Sequence, residues 1–229
     1  MDKKVTALVL AGGKGSRMQN DIPKQYLPLC GKPVLFYSLS AFQESEADEI
    51  ILVVAAGEVE YCKKEIVEKY GISKVSAVVE GGAERYHSVY AGLLAAKEAD
   101  YVLIHDGARP LIDTSTINNA IRTVEEKKAC VVGVPVKDTI QLTDEAGIIR
   151  QTPQRALTWT AQTPQCFEYA LAVSSYNKAI VSGDITITDD AMVVHKYGNH
   201  AVYMLEGDYK NIKITTPEDL LIAEKLLLS

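Results

Sequence analysis

The chain has 229 residues and a formal net charge of -6, with 47% hydrophobic and 24% charged residues. That length suits one α/β domain or two small ones, and it can bury an ordinary core without disulfides or metals. The acidic balance argues against non-specific binding to nucleic acid, which needs a clustered basic face. The N-terminal apolar run is too short for a signal peptide or a membrane span, so neither nucleic acid nor a membrane is expected as a partner.

The cysteines are widely scattered, and none has the C-x-x-C spacing that metal and redox sites use. They are Cys30, Cys62, Cys130 and Cys166. Reduced thiols in a cytoplasmic protein are the plain interpretation, because thiols in that compartment stay reduced.

Apolar runs alternate with helical patterns along the chain. Strands are expected at 5–11, 49–55, 74–79, 100–105, 129–136 and 201–207. Helices are expected at 32–43, 58–70, 85–98, 115–128 and near 167–182, with another after the TITDD turn and a closing helix from Pro217. This alternation predicts a Rossmann-like, doubly wound α/β fold with a mainly parallel sheet, whose ligands bind at the carboxyl ends of the strands.

The segment at about 137–160 breaks this alternation. It is β-like and rich in turn residues, and 144–147 has the composition of a hairpin loop. It has too few apolar residues to form a core of its own. We therefore expect one domain over 1–229, from which an inserted β arm projects and packs on a partner subunit.

A glycine-rich turn follows the first strand, and its residues are Ala11, Gly12, Gly13, Lys14 and Gly15. Glycine lets the backbone approach a ligand closely, and exposed N–H groups donate to anionic oxygens. The turn lacks the last glycine of the dinucleotide fingerprint, where Met18 stands, and a P-loop cannot be fitted around Lys14. Its shape favours phosphate binding over an ordinary tight turn.

Basic residues accompany this turn, namely Lys14, Arg17 and Lys24. A solvated basic surface is the simplest explanation of such a group. Beside a glycine turn, a phosphate clamp is the better interpretation, because phosphoryl and nucleotidyl transfer depend largely on positioning and charge neutralisation.

Asp106, in the stretch HDGARP, lies at the carboxyl end of an apolar strand. A carboxylate there is placed to hold Mg²⁺, which often takes one or two carboxylates together with substrate phosphate oxygens. The alternative role is a helix N-cap. His105 and Arg109 in the same stretch are expected to be structural.

Two further pairs suggest chemistry but have simpler explanations. Asp189 and Asp190 resemble an acid/base pair, but Thr188 and Asp189 precede an apolar helical run and are expected to cap a helix instead. His87 and Ser88 are neighbours in a predicted helix and do not face each other, which disfavours a hydrolase.

Eight motifs follow one another over nearly the whole chain: LAGGKGSRM, PKQYLPLCGKPVL, GGAERYHSV, IHDGARP, VPVKDTI, AQTPQCF, TDDA and NIKITTPEDLLIAE. Together they closely resemble the 2-C-methyl-D-erythritol 4-phosphate cytidylyltransferase family of the non-mevalonate isoprenoid route. The resemblance implies transfer of CMP from CTP to a polyol phosphate, with release of pyrophosphate. It also implies Mg²⁺ or another divalent cation, and a homodimer built by an exchanged β arm.

The resemblance further implies roles for single residues, with the glycine turn wrapping the triphosphate. Arg17, Lys24 and Lys213 match the catalytic cations of the family, and Asp106 matches its metal-associated carboxylate. Gly82, Ala83 and Ser88 match the segment that recognises cytosine. Thr139 and Arg155 match arm residues that reach the polyol phosphate of the neighbouring subunit.

Three other functions stay open on the residues alone. The form LAGG also occurs in other sugar-nucleotide pyrophosphorylases, and Gln141 stands where the family commonly has lysine, which keeps ribitol-5-phosphate cytidylyltransferase as an alternative. A non-catalytic nucleotide-binding module would have no use for Asp106 and Lys213. An NAD-dependent oxidoreductase is disfavoured by the incomplete glycine fingerprint.

Overall fold

A computed structural model describes residues 3–13, 22–184 and 186–228. Its strands, in chain order, are β1 (Val5–Ala11), β2 (Pro28–Leu29), β3 (Lys32–Pro33), β4 (Glu49–Val54), β5 (Val75–Glu80), β6 (Tyr101–Asp106), β7 (Ala129–Pro135), β8 (Leu142–Thr143), β9 (Ile149–Gln151), β10 (Trp159–Glu168) and β11 (Tyr203–Glu206). Its helices are α1 (Val34–Glu44), α2 (Val59–Tyr61, continued by a π-helix over Cys62–Glu68), α3 (Arg85–Ala95), α4 (Thr114–Lys127), α5 (Tyr169–Ser182), α6 (Asp190–Gly198) and α7 (Pro217–Leu227).

Seven strands form one sheet in the order β11-β7-β10-β6-β1-β4-β5. Only β10 runs antiparallel to its neighbours, β6 and β7; the remaining pairs of this sheet are parallel. The architecture confirms the expected α/β fold with a mainly parallel sheet. The carboxyl ends of β1, β4, β5 and β6 therefore meet at one edge of the sheet.

Two apolar layers cover the faces of this sheet, and β1 contributes to both. Val5, Ala7 and Val9 point into the layer that contains α1, α2 and α4. Leu8 points into the opposite layer, formed with α3, α5 and α6. This alternation follows from the two-residue period of a strand, and burial of each large aliphatic side chain contributes about 1.5–3 kcal/mol.

A third, smaller apolar cluster joins distant parts of the chain beside the main sheet. Leu27 and Leu29, from the start of the β2–β3 hairpin, pack with Ile214 and Ala223 near and within α7. The segment that carries Lys24 is thereby held against the segment that carries Lys213.

β10 differs most from the expectation, because no strand was predicted over 161–166 and the next helix begins at Tyr169 rather than near 167. Its buried residues include Gln162, Thr163 and Gln165, whose polar side chains hide the apolar periodicity of a strand. Each of these side chains is instead hydrogen-bonded to a distant part of the chain.

The predicted arm leaves the sheet after Pro135 and returns at Trp159, which pairs with it. Within it, β8 and β9 form an antiparallel hairpin, and the Gly147 N–H donates to the Asp144 carbonyl in the expected turn. Several large apolar side chains of the arm are exposed, namely Ile140, Leu142, Ile148, Ile149 and Leu157. The packing of this arm on a partner subunit stays a prediction.

The state of the cysteines and the length of the helices can be compared with the expected reduced thiols and the expected lack of a membrane span. All four cysteines are free thiols; Cys30 is exposed, and Cys62, Cys130 and Cys166 are buried. Within the described ranges, every helix is too short or too polar to cross a membrane.

Candidate active site

A cavity of about 610 Å³ opens at the carboxyl edge of the sheet. This is the position at which open α/β sheets bind ligands. Nine of the residues singled out from the sequence line it: Ala11, Gly12, Gly13, Lys24, Gly82, Ala83, Ser88, Asp106 and Lys213. Lys14, Gly15 and Arg17 lie outside the described residues. One cavity thus collects glycine-rich backbone, two lysines and a carboxylate.

Asp106, the last residue of β6, is the charged centre of the cavity. Its Oδ2 lies 2.8 Å from Lys213 Nζ and 3.9 Å from Arg109 Nε, and its Oδ1 lies 3.5 Å from Arg85 Nε. Burial alone would raise the pKa of Asp106, but the attraction of Arg85 and Lys213 outweighs burial and holds the pKa well below its usual range. Asp106 is therefore an anion throughout the physiological pH range.

Lys24 and Lys213 come to the cavity from opposite ends of the sequence, and Lys213 pairs with the carboxylate of Asp106. Lys24 Nζ donates to the carbonyl of Ile214 at 2.8 Å, next to Lys213 in the chain. The Ile214 N–H in turn donates to the carbonyl of Ala108 at 2.8 Å, two residues beyond Asp106. These bonds and the small apolar cluster described above explain why the two lysines share one cavity.

The loop after β5 forms the opposite wall of the cavity. The Gly82 N–H donates to Ser88 Oγ at 3.2 Å, so the loop folds back on the first turns of α3. A Cβ on Gly81 would lie 2.5 Å from Ser88 Oγ, and one on Gly82 would overlap the Cβ of His87. Only glycine permits this close approach of the loop to α3.

The described part of the first glycine turn is held from two sides. Gln25 Nε2 donates to the carbonyl of Ala11 at 2.6 Å, and Gln25 itself is buried. A Cβ on Gly12 would lie 3.3 Å from the backbone nitrogen of Ala55, at the end of β4. The turn is thus seated between the Lys24 segment and the next strand.

Sequence reasoning missed Arg85, which also lines the cavity. Its guanidinium forms a bidentate pair with the fully buried Asp190, at 2.6 and 2.7 Å, and Tyr176 donates a further hydrogen bond to the same carboxylate. A second guanidinium contact, 3.5 Å, reaches Asp106. The only local signal was an arginine at the first position of a helix directly after a glycine loop.

Of the two residues expected to cap α6, Asp189 is the N-cap and Thr188 is not: the Asp189 side chain accepts from the Met192 N–H at 3.2 Å. It also accepts from Gln165 Nε2 at 2.6 Å. Neither the carboxylate of Asp189 nor that of Asp190 lines the cavity described above.

His105 and Arg109 occupy positions that suit the structural roles expected of them. His105 is fully buried, its Nδ1 lies 3.0 Å from Thr163 Oγ1, and burial lowers its pKa to about 3, so the ring is neutral at physiological pH. Arg109 Nη1 donates to the carbonyl of Asn211 at 2.7 Å. The Arg109 side chain therefore ties the loop after β6 to the segment before Lys213.

Thr139 and Arg155 are not among the residues that line this cavity. Both are exposed and lie on the projecting arm. The predicted role of both residues is in the cavity of a neighbouring subunit. That role stays a prediction, because this structure holds one chain.

The donor set suits a divalent cation that is shared with a substrate. Within the described ranges, no three His, Cys, Asp or Glu side chains gather closely enough to hold a metal alone. Mg²⁺, however, is commonly bound by one or two carboxylates together with phosphate oxygens and water. Asp106 fits that pattern, because the contacts of its Oδ1 with Arg85 are long, at 3.5 Å, and its low pKa keeps it ionised.

Comparisons with known proteins point to one family. The family model for 2-C-methyl-D-erythritol 4-phosphate cytidylyltransferase matches residues 5–229. A protein of that name from Lachnoclostridium phytofermentans is 53% identical over 225 residues, which cover 98% of this chain and 97% of the relative. Another from Alkaliphilus oremlandii is 48% identical, and the match covers 98% and 95% of the two chains.

Solved structures agree with this match. The 4-diphosphocytidyl-2C-methyl-D-erythritol synthase from Anaerococcus prevotii has a TM-score of 0.87 and 32% identity, over 99% of this chain and 97% of that one. The 2-C-methyl-D-erythritol 4-phosphate cytidylyltransferase from Thermus thermophilus has a TM-score of 0.78 and 29% identity, over 97% and 98%.

Proposed function

Since this chain belongs to the 2-C-methyl-D-erythritol 4-phosphate cytidylyltransferase family, we propose that it transfers CMP from CTP to 2-C-methyl-D-erythritol 4-phosphate. The products are 4-diphosphocytidyl-2-C-methyl-D-erythritol and pyrophosphate, and the reaction serves the non-mevalonate route to isoprenoid precursors. The observation that carries this proposal is the single cavity in which Lys24, Lys213 and Asp106 meet two glycine-rich segments.

The proposed chemistry is a displacement at phosphorus. A phosphate oxygen of the polyol phosphate forms a bond to the α-phosphorus of CTP, and the bond from that phosphorus to the oxygen bridging to the β-phosphate breaks, so pyrophosphate leaves. The attacking oxygen is already ionised, and no general base is needed. The main obstacle is repulsion between two anions, which positioned cations reduce.

Lys24 and Lys213 supply that positive charge in the described part of the cavity, and we assign Arg17 the same role. Both lysines are already oriented by bonds to protein oxygens, Lys24 to Ile214 and Lys213 to Asp106. Side chains held in place before substrate arrives need little reorganisation in the transition state, which is the condition for strong electrostatic catalysis.

The wall formed by Gly82, Ala83 and Ser88 is the proposed cytosine site. We expect main-chain groups of this wall to pair with the base edge, because Gly82 and Ala83 line the cavity and carry no bulky side chain. The described end of the first turn, Ala11, Gly12 and Gly13, would face the triphosphate, as would Lys14 and Gly15.

Asp106 is the residue that would hold a divalent cation, Mg²⁺ being the expected one. When bound, such an ion would neutralise negative charge on the phosphates. The chain contributes an ionised carboxylate whose position is set by Lys213 and Arg85.

The arm is the proposed dimerisation element, with Thr139 and Arg155 reaching the polyol phosphate in the partner's cavity. Its exposed apolar side chains support this assignment, because such residues gain stability when a partner covers them. The proposal includes a cytoplasmic location, which suits the four free cysteines.

Hybrid dimers test the arm. Arg155→Ala and Lys24→Ala subunits carrying different tags are coexpressed, and dimers with one subunit of each kind are purified. Such a dimer has one intact cavity served by one intact arm, so we expect about half of the wild-type activity although both parent homodimers are inactive. An inactive hybrid dimer, or a fully active Arg155→Ala homodimer, contradicts the role of the arm.

The activity itself is tested by pyrophosphate release from CTP with Mg²⁺. 2-C-methyl-D-erythritol 4-phosphate and ribitol 5-phosphate are offered separately. Release only with the methylerythritol substrate is expected. Release only with ribitol 5-phosphate would move the chain to the alternative reaction, and release with neither would leave a nucleotide-binding module.

A further inference from the structure

Asn211 is a buried polar residue that the proposed chemistry does not use. It is 1% exposed, and its Nδ2 donates to the carbonyl of Thr163 at 2.9 Å and to Gln162 Oε1 at 3.2 Å. Its Oδ1 has no hydrogen-bond partner among the described residues. The two bonds of Nδ2 therefore attach this side chain to β10, and they offset part of the cost of burying an amide.

The residues from Asn211 to Ile214 include Lys213 and accept hydrogen bonds from two further cations, Arg109 and Lys24. The carbonyl of Asn211 accepts from Arg109 Nη1 at 2.7 Å, and the carbonyl of Ile214 accepts from Lys24 Nζ at 2.8 Å. Between them, Lys213 pairs with Asp106 at 2.8 Å. A displacement of this short segment would move all three cations together.

The strand to which Asn211 is attached also positions Asp106. Thr163 Oγ1 accepts from the backbone N–H of Asp106 at 3.1 Å, while the carbonyl of Thr163 accepts from Asn211. One residue of β10 thus holds both partners of the Lys213–Asp106 pair, the carboxylate directly and the lysine through Asn211.

We propose that Asn211 is a positioning residue, which fixes the segment 211–214 on β10 and so sets Lys213 and Lys24 relative to Asp106. Its effect on the reaction rests on the proposed function. Asn211 is not among the residues that line the cavity, so its effect on the reaction is exerted through the two lysines rather than by contact with a substrate.

The test combines Asn211→Ala with a double-mutant cycle. We expect kcat to fall about 10- to 100-fold, since small displacements of catalytic groups have effects of that size, while KM for CTP changes little. In a Lys213→Met background, the same substitution should lower kcat far less than it does in the wild type, because the lysine through which it acts is absent. Asn211→Ser, which keeps one donor, is used if the alanine variant does not fold.

Two further measurements separate positioning from general stability. Thr6→Val is the matched control, because Thr6 is fully buried and its hydroxyl donates to Glu49 at the far end of β1. That variant should lose stability but keep its kcat per folded molecule. Acetylation of lysines, followed by mass spectrometry, should show faster modification of Lys213 in Asn211→Ala than in wild type or Thr6→Val, with Lys225 unchanged.

The outcomes are distinct. An unchanged kcat, fully additive effects in the cycle, or an unchanged rate of Lys213 acetylation would overturn the positioning role. If the wild-type protein does not transfer CMP, the proposed function fails, and the acetylation rates still decide whether Asn211 holds Lys213 in place.

Discussion

Replacing Lys213 by methionine should separate activity from stability. The side chain is 37% exposed and its ion pair with Asp106 spans 2.8 Å. Because Lys213 is more than a third exposed and Asp106 keeps its contacts with Arg85 and Arg109, the loss of Lys213 should cost about 1 kcal/mol or less in the free energy of unfolding. The effect on the reaction is much larger, because the Lys213 ammonium would lose its attraction to a phosphate oxygen in the transition state. Two unit charges about 4 Å apart at an effective dielectric constant near 20 interact by about 4 kcal/mol.

That interaction energy predicts a loss of about 10²–10³ in kcat, which is also the size seen when one preorganised donor to a developing charge is removed. The assay is steady-state pyrophosphate release, with the urea midpoint measured on the same preparations. Lys225→Met, which removes the same charge from the exposed side of α7, is the control and should keep full activity. A Lys213→Met protein that is folded and turns over at the wild-type rate would refute the role assigned to this cation.

Three other substitutions probe separate parts of the site. The folded-state pKa of Asp106 lies below its ordinary value of about 3.9, so the ionised carboxylate stabilises the protein above that pH, and this stabilisation is lost as the pH falls further. Asp106→Asn should therefore lose less unfolding free energy between pH 4 and pH 2 than the wild type does. An equally steep loss would contradict the pairing of Asp106 with its cations. Asp190→Ala leaves Arg85 without its bidentate partner and should lower the free energy of unfolding, measured with urea, by about 2–3 kcal/mol. The loss is smaller than for a fully buried pair because Arg85 is 33% exposed. A change below measurement error would show that the pair contributes nothing to stability. Gly82→Ala forces the loop away from His87 and should raise KM for CTP with little change in kcat, whereas a normal KM would argue against cytosine binding on that wall.

The parts of the fold that local patterns specify were predictable. β1 was expected at the residues where it lies, because a β-branched apolar run ends there at glycines. The first glycine turn and Asp106 were recognisable as site residues because each lies at the end of a predicted strand, and parallel strands end at one edge.

The remaining features depend on partners far along the chain. Gln162, Thr163 and Gln165 are buried in β10 only because they bond to Asp208, His105 and Asp189, and a pattern of hydrophobicity cannot show such pairing. Arg85 and Asp190 are 105 residues apart, so neither reveals the other in the sequence. Asn211 likewise gains its place at the site from β10, 48 residues earlier.

The central claim is that cations from separate segments of the chain gather at one sheet edge to receive a triphosphate. A crystal structure of the protein with CTP tests it most directly. The account predicts the cytosine against Gly82 and Ser88 and the α-phosphate between the amino groups of Lys24 and Lys213. A triphosphate bound elsewhere, with both lysines still engaged only by protein oxygens, would contradict it.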